Sequence, residues 1–171
     1  MRRVRYGVAC SLDGYIAGPS GEADWILMDP EVDFAAMFKD FDTVLMGRKS
    51  YEIAKQTGGT GMPLGMKAYV FSRTLRQKDC LDAVVSANPQ KTVTELIHQK
   101  GKDIWLFGGG QLFQSLLEYG LVDTIEIGLV PVLLGGGLPM LPGATRLSKL
   151  KLTKNKVYEK TGTLMLQYEI R

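Results

Sequence analysis

One histidine, His98, and two cysteines, Cys10 and Cys80, are all that 171 residues offer in imidazole and thiol chemistry. No Cys/His set has the spacing of a zinc site. A serine-hydrolase triad would have to use His98, which falls mid-helix among polar neighbours and reads as a solvated surface group. Two thiols do not make the disulfide framework of a small secreted domain, so the expected compartment is a reducing cytoplasm. No apolar run approaches membrane-spanning length, and the opening Met1-Arg2-Arg3-Val4-Arg5-Tyr6 alternates like a strand instead of forming an apolar leader. Lysine and arginine form no stripe, and a net charge of +3 is too mild for a nucleic-acid footprint, though it would help attract a phosphorylated small molecule. An apolar share of 45% and a charged share of 23% are those of an ordinary globular protein. The expectation is one domain over residues 1–171, large enough to bury a core without staples.

What is present is organised around Asp103-Ile104-Trp105-Leu106-Phe107-Gly108-Gly109-Gly110-Gln111-Leu112-Phe113. A short apolar strand runs into three glycines, and these open a helix whose Leu112, Phe113, Leu116 and Leu117 share one face before a stop at Gly120. That order gathers unpaired backbone N–H groups and the positive end of a helix dipole at one spot, where missing Cβ atoms let a phosphate approach. A tight turn that needs glycine only for its dihedrals would give the same residues.

Two further strand ends repeat the theme. Thr43 to Met46 reads as a buried strand followed by Gly47-Arg48-Lys49-Ser50 at the start of a helix. Cations are disfavoured at that end of a dipole unless an anion sits there to be shared. Lys67 to Phe71 reads as a strand followed by Ser72-Arg73-Thr74, where the guanidinium fork suits a second phosphate. Between these elements, Asp13 to Gly21 reads as a long loop able to cover a ligand, and Thr57 to Gly65 as a glycine-rich loop. Asp29-Pro30 reads as the start of a core-facing helix carrying Phe34, Met37, Phe38 and Phe41, with Glu31 and Asp33 in its first turn. Asn88-Pro89 caps a structural helix. Ile125, Ile127 and Leu129 alternate along a half-exposed strand, and Leu147–Val157 and Leu164–Ile170 pair through a turn at 160–162. The fold class is therefore α/β: three αβα layers around a mixed, mainly parallel sheet with an antiparallel C-terminal hairpin. In such sheets ligands bind beyond the carboxyl ends of the strands, where all three turns lie.

Val-Leu-Met-Gly-Arg-Lys-Ser-Tyr-Glu (44–52), Val-Phe-Ser-Arg-Thr-Leu (70–75) and Phe-Gly-Gly-Gly-Gln-Leu-Phe (107–113) resemble the cofactor motifs of the dihydrofolate reductase superfamily. Ser-Leu-Asp-Gly-Tyr-Ile-Ala (11–17) and Pro-Val-Leu-Leu-Gly-Gly-Gly (131–137) resemble the branch that includes the reductase domain of riboflavin biosynthesis. The resemblance runs nearly end to end and implies an NADPH-dependent reductase, often a homodimer, transferring hydride to a C=N or C=O bond of a small pterin- or pyrimidine-like substrate. It implies that Gly47, Arg48, Lys49 and Ser50 hold the pyrophosphate and adenosine phosphate. Ser72, Arg73 and Thr74 would hold the 2′-phosphate, and Phe107, Gly108, Gly109, Gly110, Gln111 and Leu112 the pyrophosphate from the other side. Ala9 and Ile16 would flank the nicotinamide, Trp25, Met28 and Phe34 would line the substrate side, and Asp33 would be the candidate acid. No metal, nucleic acid or membrane is expected as a partner.

The chain also departs from these patterns. Arg48-Lys49-Ser50-Tyr51-Glu52 stands where the riboflavin reductases have a threonine and an acidic-Pro segment, and the Leu-Pro-Trp-type segment of dihydrofolate reductase is missing. Asp33 meets the family's acidic position only with a one-residue shift; without it Phe34 falls there. A nucleotide-binding module of the same fold without catalysis is therefore the alternative, and an interaction protein with a vestigial cleft the third.

Overall fold

The computed structural model describes residues 1–56, 65–143 and 146–171, so the expected loop from Thr57 lies outside the described residues apart from Gly65. The strands are β1 (Val4–Ser11), β2 (Tyr15–Ala17), β3 (Phe41–Gly47), β4 (Lys67–Phe71), β5 (Val84–Ser86), β6 (Asp103–Gly108), β7 (Thr124–Val130), β8 (Leu138–Pro139), β9 (Leu150–Tyr158) and β10 (Thr163–Ile170). The α-helices are α1 (Phe34–Phe38), α2 (Arg48–Gln56), α3 (Pro89–Ile97) and α4 (Gly110–Glu118).

Eight strands form one sheet in the order β5-β4-β3-β6-β1-β7-β10-β9. All neighbours run parallel except β10, which is antiparallel to both β7 and β9. The mixed sheet and its C-terminal hairpin are those expected. The central strands β3 and β6 are largely apolar on both faces because helices cover both, whereas β1 carries Arg5, Gly7 and Ala9 on its second face. On one face Tyr6, Leu106, Leu45, Val93, Leu96, Phe113 and Leu116 join α3 and α4 to the sheet. On the other, Val44, Met46, Val70, Trp105 and Tyr51 pack with α2, and Phe38 of α1 packs against them.

α3 begins where its sequence says it should: the Asn88 side chain accepts from Lys91 N at 3.0 Å, with Pro89 in the first turn. His98 is its C-cap, exposed, rather than a mid-helix residue.

Three local expectations need correction. Residues 13–21 are not wholly loop: Tyr15–Ala17 pairs with β8 as a small antiparallel ribbon, tied by Met140 N donating to Gly14 O at 2.9 Å. The helix expected from Asp29 begins only at Phe34. The Asp29 carboxylate accepts from Glu31 N at 2.9 Å and closes a local turn, while Asp33 accepts from Ala36 N at 2.9 Å and is the true cap. Phe41 belongs to β3, and the five-residue α1 has no fully buried residue: Phe38 rests on the edge of the core while its aromatic face, with Phe34, also lines a cleft.

Candidate active site

Two glycine turns meet at the carboxyl ends of β3 and β6. Ser50, in the first turn of α2, accepts a hydrogen bond from Gly109 N at 2.9 Å, and Gly109 is the N-cap of α4. The turns are thus bonded to each other. Ser72, just past β4, accepts from Thr74 N at 3.1 Å and Leu75 N at 2.9 Å, which folds Arg73 and Thr74 outward on a tight hydroxyl-centred turn.

All three turns line one cleft of about 1190 Å³. Ligand pockets commonly enclose roughly 300–1,000 Å³, so this cleft is larger than most. Gly47, Arg48, Lys49, Ser50, Ser72, Arg73, Thr74, Phe107, Gly109, Gly110, Gln111 and Leu112 line it, as do Ala9 and Ile16. Arg48 has an exposed partner in Glu52 at 3.2 Å, an i,i+4 surface pair of little strength. Among the described residues neither Lys49 nor Arg73 has an ion-pair partner.

The glycines divide by what holds them in place. Gly108 has φ +106°, a conformation that side chains rarely adopt. A Cβ on Gly110 would lie 2.5 Å from the Pro139 carbonyl oxygen and 2.9 Å from that of Met140, so packing against β8 requires glycine there. Gly47 has no such reason, and Gly109, which follows a cis peptide bond, has none in its φ or its neighbours. Neither has a positive φ, and a Cβ would meet nothing nearer than Gly108 O at 3.9 Å or Ser50 Oγ at 3.6 Å. Both face the cation-lined rim, where the missing side chain leaves room for something outside the protein.

The far end of the cleft is walled by aromatics. Trp105 packs against Phe38 at 4.7 Å and edge-on to Phe107 at 5.1 Å between ring centroids. Met28, Phe34 and Met37 close the side formed by the segment before and through α1.

Three expected site residues are not brought to the cavity surface. Gly108 is buried behind its turn. Trp25 spends its indole N–H on Glu22 O at 3.1 Å, and its neighbours Ile26 and Leu27 line the cavity in its place. Asp33, the candidate acid, is exposed and occupied as the α1 cap, and it does not line the cavity.

Two other carboxylates do. Asp29 is 4% exposed, and its second oxygen accepts from the Thr161 hydroxyl at 3.1 Å. With Lys160 reaching Glu31 at 3.3 Å, this bond fastens the β9–β10 turn to the cavity wall. Glu126 on β7 is gripped by Arg5 through Nε at 2.6 Å and Nη2 at 3.0 Å. Sequence reasoning passed over both, taking Asp29 for a cap and Glu126 for the polar partner of an alternating strand.

Residues 2–166 match the family described as the RibD C-terminal domain. The chain belongs to that family. Among curated relatives, this RibD C-terminal domain is similar to YyaP of Bacillus subtilis (strain 168), with 33% identity covering 98% of this chain and 94% of that one. It is also similar to YwjB of the same organism, with 29% identity covering 92% of each. Solved structures agree on the fold. A putative riboflavin biosynthesis protein from Shewanella sp. PV-4 superposes with a TM-score of 0.83 at 24% identity, over 100% of this chain and 99% of that one. The diaminohydroxyphosphoribosylaminopyrimidine deaminase/5-amino-6-(5-phosphoribosylamino)uracil reductase of Thermotoga maritima does so at 0.77 and 15% identity, over 99% of this chain and 57% of that one. The RibD C-terminal domain is thus related to riboflavin-pathway reductases and has the dihydrofolate reductase-like fold.

Proposed function

We propose that this RibD C-terminal domain is an NADPH-dependent reductase acting on a C=N or C=O bond of a small nitrogen heterocycle. The observation behind this reading is Gly47, a glycine with neither a positive φ nor a close neighbour, at a rim that carries Arg48, Lys49 and Arg73, the last two without an ion-pair partner among the described residues. Backbone N–H groups at the starts of α2 and α4, with Arg48, Lys49 and Ser50, would hold the pyrophosphate. Ser72, Arg73 and Thr74 would hold the 2′-phosphate, the feature that separates NADPH from NADH. NADPH, when bound, supplies a hydride. The chain's own part is to hold the second molecule against Ala9 and Ile16, with Phe34, Phe38, Trp105 and Phe107 excluding water from its ring.

The protonation step favours a solvent molecule as donor, because Asp33 caps α1 outside the cavity. The same placement favours the alternative, a nucleotide-binding module without turnover. Fluorescence titration with NADPH and NADH tests cofactor binding: the expected result is a clear preference for NADPH that Arg73→Ala removes, and equal affinities would overturn the assignment of Arg73. Following NADPH absorbance with dihydrofolate, pyrimidine and flavin candidates separates enzyme from module.

We also propose a cytoplasmic homodimer. The buried thiols of Cys10 and Cys80 are free. The last strand of the sheet, β9, exposes Leu150, Leu152 and Val157 on the face they share with Ile170, Tyr168 and Leu164. Light scattering at micromolar concentration checks the mass, and a monomer would contradict it.

A further inference from the structure

The cleft is electrically two-ended. Arg48, Lys49 and Arg73 stand along its rim near β3 and β4, whereas the charged side chains lining it elsewhere are the carboxylates Asp29 and Glu126. Asp29 is nearly inaccessible, and each of its oxygens already accepts a hydrogen bond, from Glu31 N and from Thr161. Its work is to tie the wall.

Glu126 differs. Its side chain is 14% exposed and lines the cavity, while Arg5, which grips it from behind, does not. The same guanidinium also reaches Asp103 at 3.3 Å, so one cation serves two carboxylates and the group keeps a net negative charge. Oε1 accepts from Arg5 Nε and, at 3.4 Å, from the Thr124 hydroxyl. Oε2 accepts from Arg5 alone among the described residues, and a carboxylate oxygen has two acceptor positions. A carboxylate with spare capacity, mostly withdrawn from water, is a strong acceptor for an N–H donor.

The surroundings suit a flat ring. Gly7 and Gly128 let side chains settle flat on the sheet: a Cβ on Gly7 would lie 2.8 Å from the Trp105 indole nitrogen, and one on Gly128 3.3 Å from the Met165 sulfur, so the floor here is the Trp105 ring and the Met165 thioether. In the β1–β7 register Glu126 pairs with Gly7 and Gly128 with Ala9. Ala9, the residue assigned to the reacting end, is two positions, roughly 6.5–7 Å, along β1 from Gly7, the cross-strand partner of Glu126. A flat ring bonded to the Glu126 carboxylate can therefore extend along the strands toward Ala9.

We infer that Glu126, held in place by Arg5, selects and orients the substrate by accepting hydrogen bonds from the N–H edge of a flat, donor-bearing or cationic ring. This deepens the reductase reading and rests on it for the position of the reacting end.

Benzamidine, a flat cation with two N–H groups on one edge, probes the site, and neutral benzamide is its control. Binding to the full chain is measured by calorimetry and by Trp fluorescence, with NADPH titrated separately on every variant. The wild-type protein should bind benzamidine at least tenfold more tightly than benzamide. Glu126→Gln, which leaves Arg5 paired with Asp103, should erase that ratio while keeping NADPH affinity within twofold. Asp33→Asn should leave the ratio intact. No preference in the wild type, a preference that survives Glu126→Gln, or one lost in Asp33→Asn would overturn the inference. If circular dichroism shows Glu126→Gln unfolded, Glu126→Asp keeps the charge but draws it back by one methylene and must lower the ratio several-fold; an unchanged ratio overturns the inference equally. Loss of NADPH binding in the wild type alongside a Glu126-dependent benzamidine preference would sink the reductase reading and leave the anionic end standing.

Discussion

Replacing Gly47 by alanine separates a glycine kept for the fold from one kept for a ligand. Its nearest new neighbour would be Gly108 O at 3.9 Å, an ordinary contact, and its backbone is not in the left-handed region. The folded protein should accept the methyl, and the stiffer unfolded chain should add about 0.4–1 kcal/mol of stability. For a chain of this size that raises Tm by roughly 1–4 °C. A phosphate drawn to the rim would meet the methyl and lose at least one charge-assisted hydrogen bond to the backbone, about 1.5–3 kcal/mol, or roughly 10- to 150-fold in NADPH affinity. Gly110→Ala gives the opposite pattern. The Pro139 carbonyl, 2.5 Å from the new Cβ, must retreat by about 1 Å to reach ordinary contact. Overpacking costs about 1–3 kcal/mol, against a helix-propensity gain of up to about 1 kcal/mol, so this variant should melt lower. Thermal melts and NADPH titrations on both proteins read the contrast. A Gly47→Ala protein that binds NADPH as the wild type does would refute the argument, and so would one that unfolds.

Other expectations are more local. Arg73→Ala should weaken NADPH binding by about 1.5–3 kcal/mol and leave NADH binding unchanged; nucleotide titrations on the same preparation check both. Tyr6 is fully buried, stacked on Phe113 at 3.9 Å, and its hydroxyl has no hydrogen-bond partner among the described residues. Burial pushes that phenol far above its usual range, and Tyr6→Phe should stabilise the fold by up to about 1–3 kcal/mol, read by urea denaturation. Asp13 titrates below the usual carboxylate range, chiefly because Ser11 donates to it and then because Gly135 N and Leu134 N do, and Asp82 does so because Tyr51 donates to it. Carboxylates depressed on folding contribute stability that is complete above their unfolded pKa, about 3.9, and is lost as the pH falls through their lower folded values. The urea midpoint should therefore not move between pH 7 and about 5 on their account. It should fall below about pH 4, less steeply in Asp13→Asn.

The sheet was legible because its strands are short apolar runs punctuated by glycine and charge, and the rim because three strand ends repeat one chemistry. The floor and walls were not. Glu126 alternates with Ile125 and Ile127, which says only that it leaves the core; that its side of β7 is a cavity follows from β7 lying between β1 and β10, a long-range fact. Asp29 and Asp33 are both good caps in sequence, and the choice between them was made by Thr161, 132 positions from Asp29. The three-residue β2 is too short for any periodicity, and its partner β8 lies 120 residues away. Phe34 and Phe38 have core-like spacing, yet a helix of five residues has no far side to bury, so the same aromatics became walls.

The bond from Thr161 to Asp29 gives the C-terminal hairpin a second duty. Its turn is a latch on the segment that frames the aromatic-walled end of the cavity, so lengthening or trimming those few residues should change which molecules are admitted before it changes whether the chain folds.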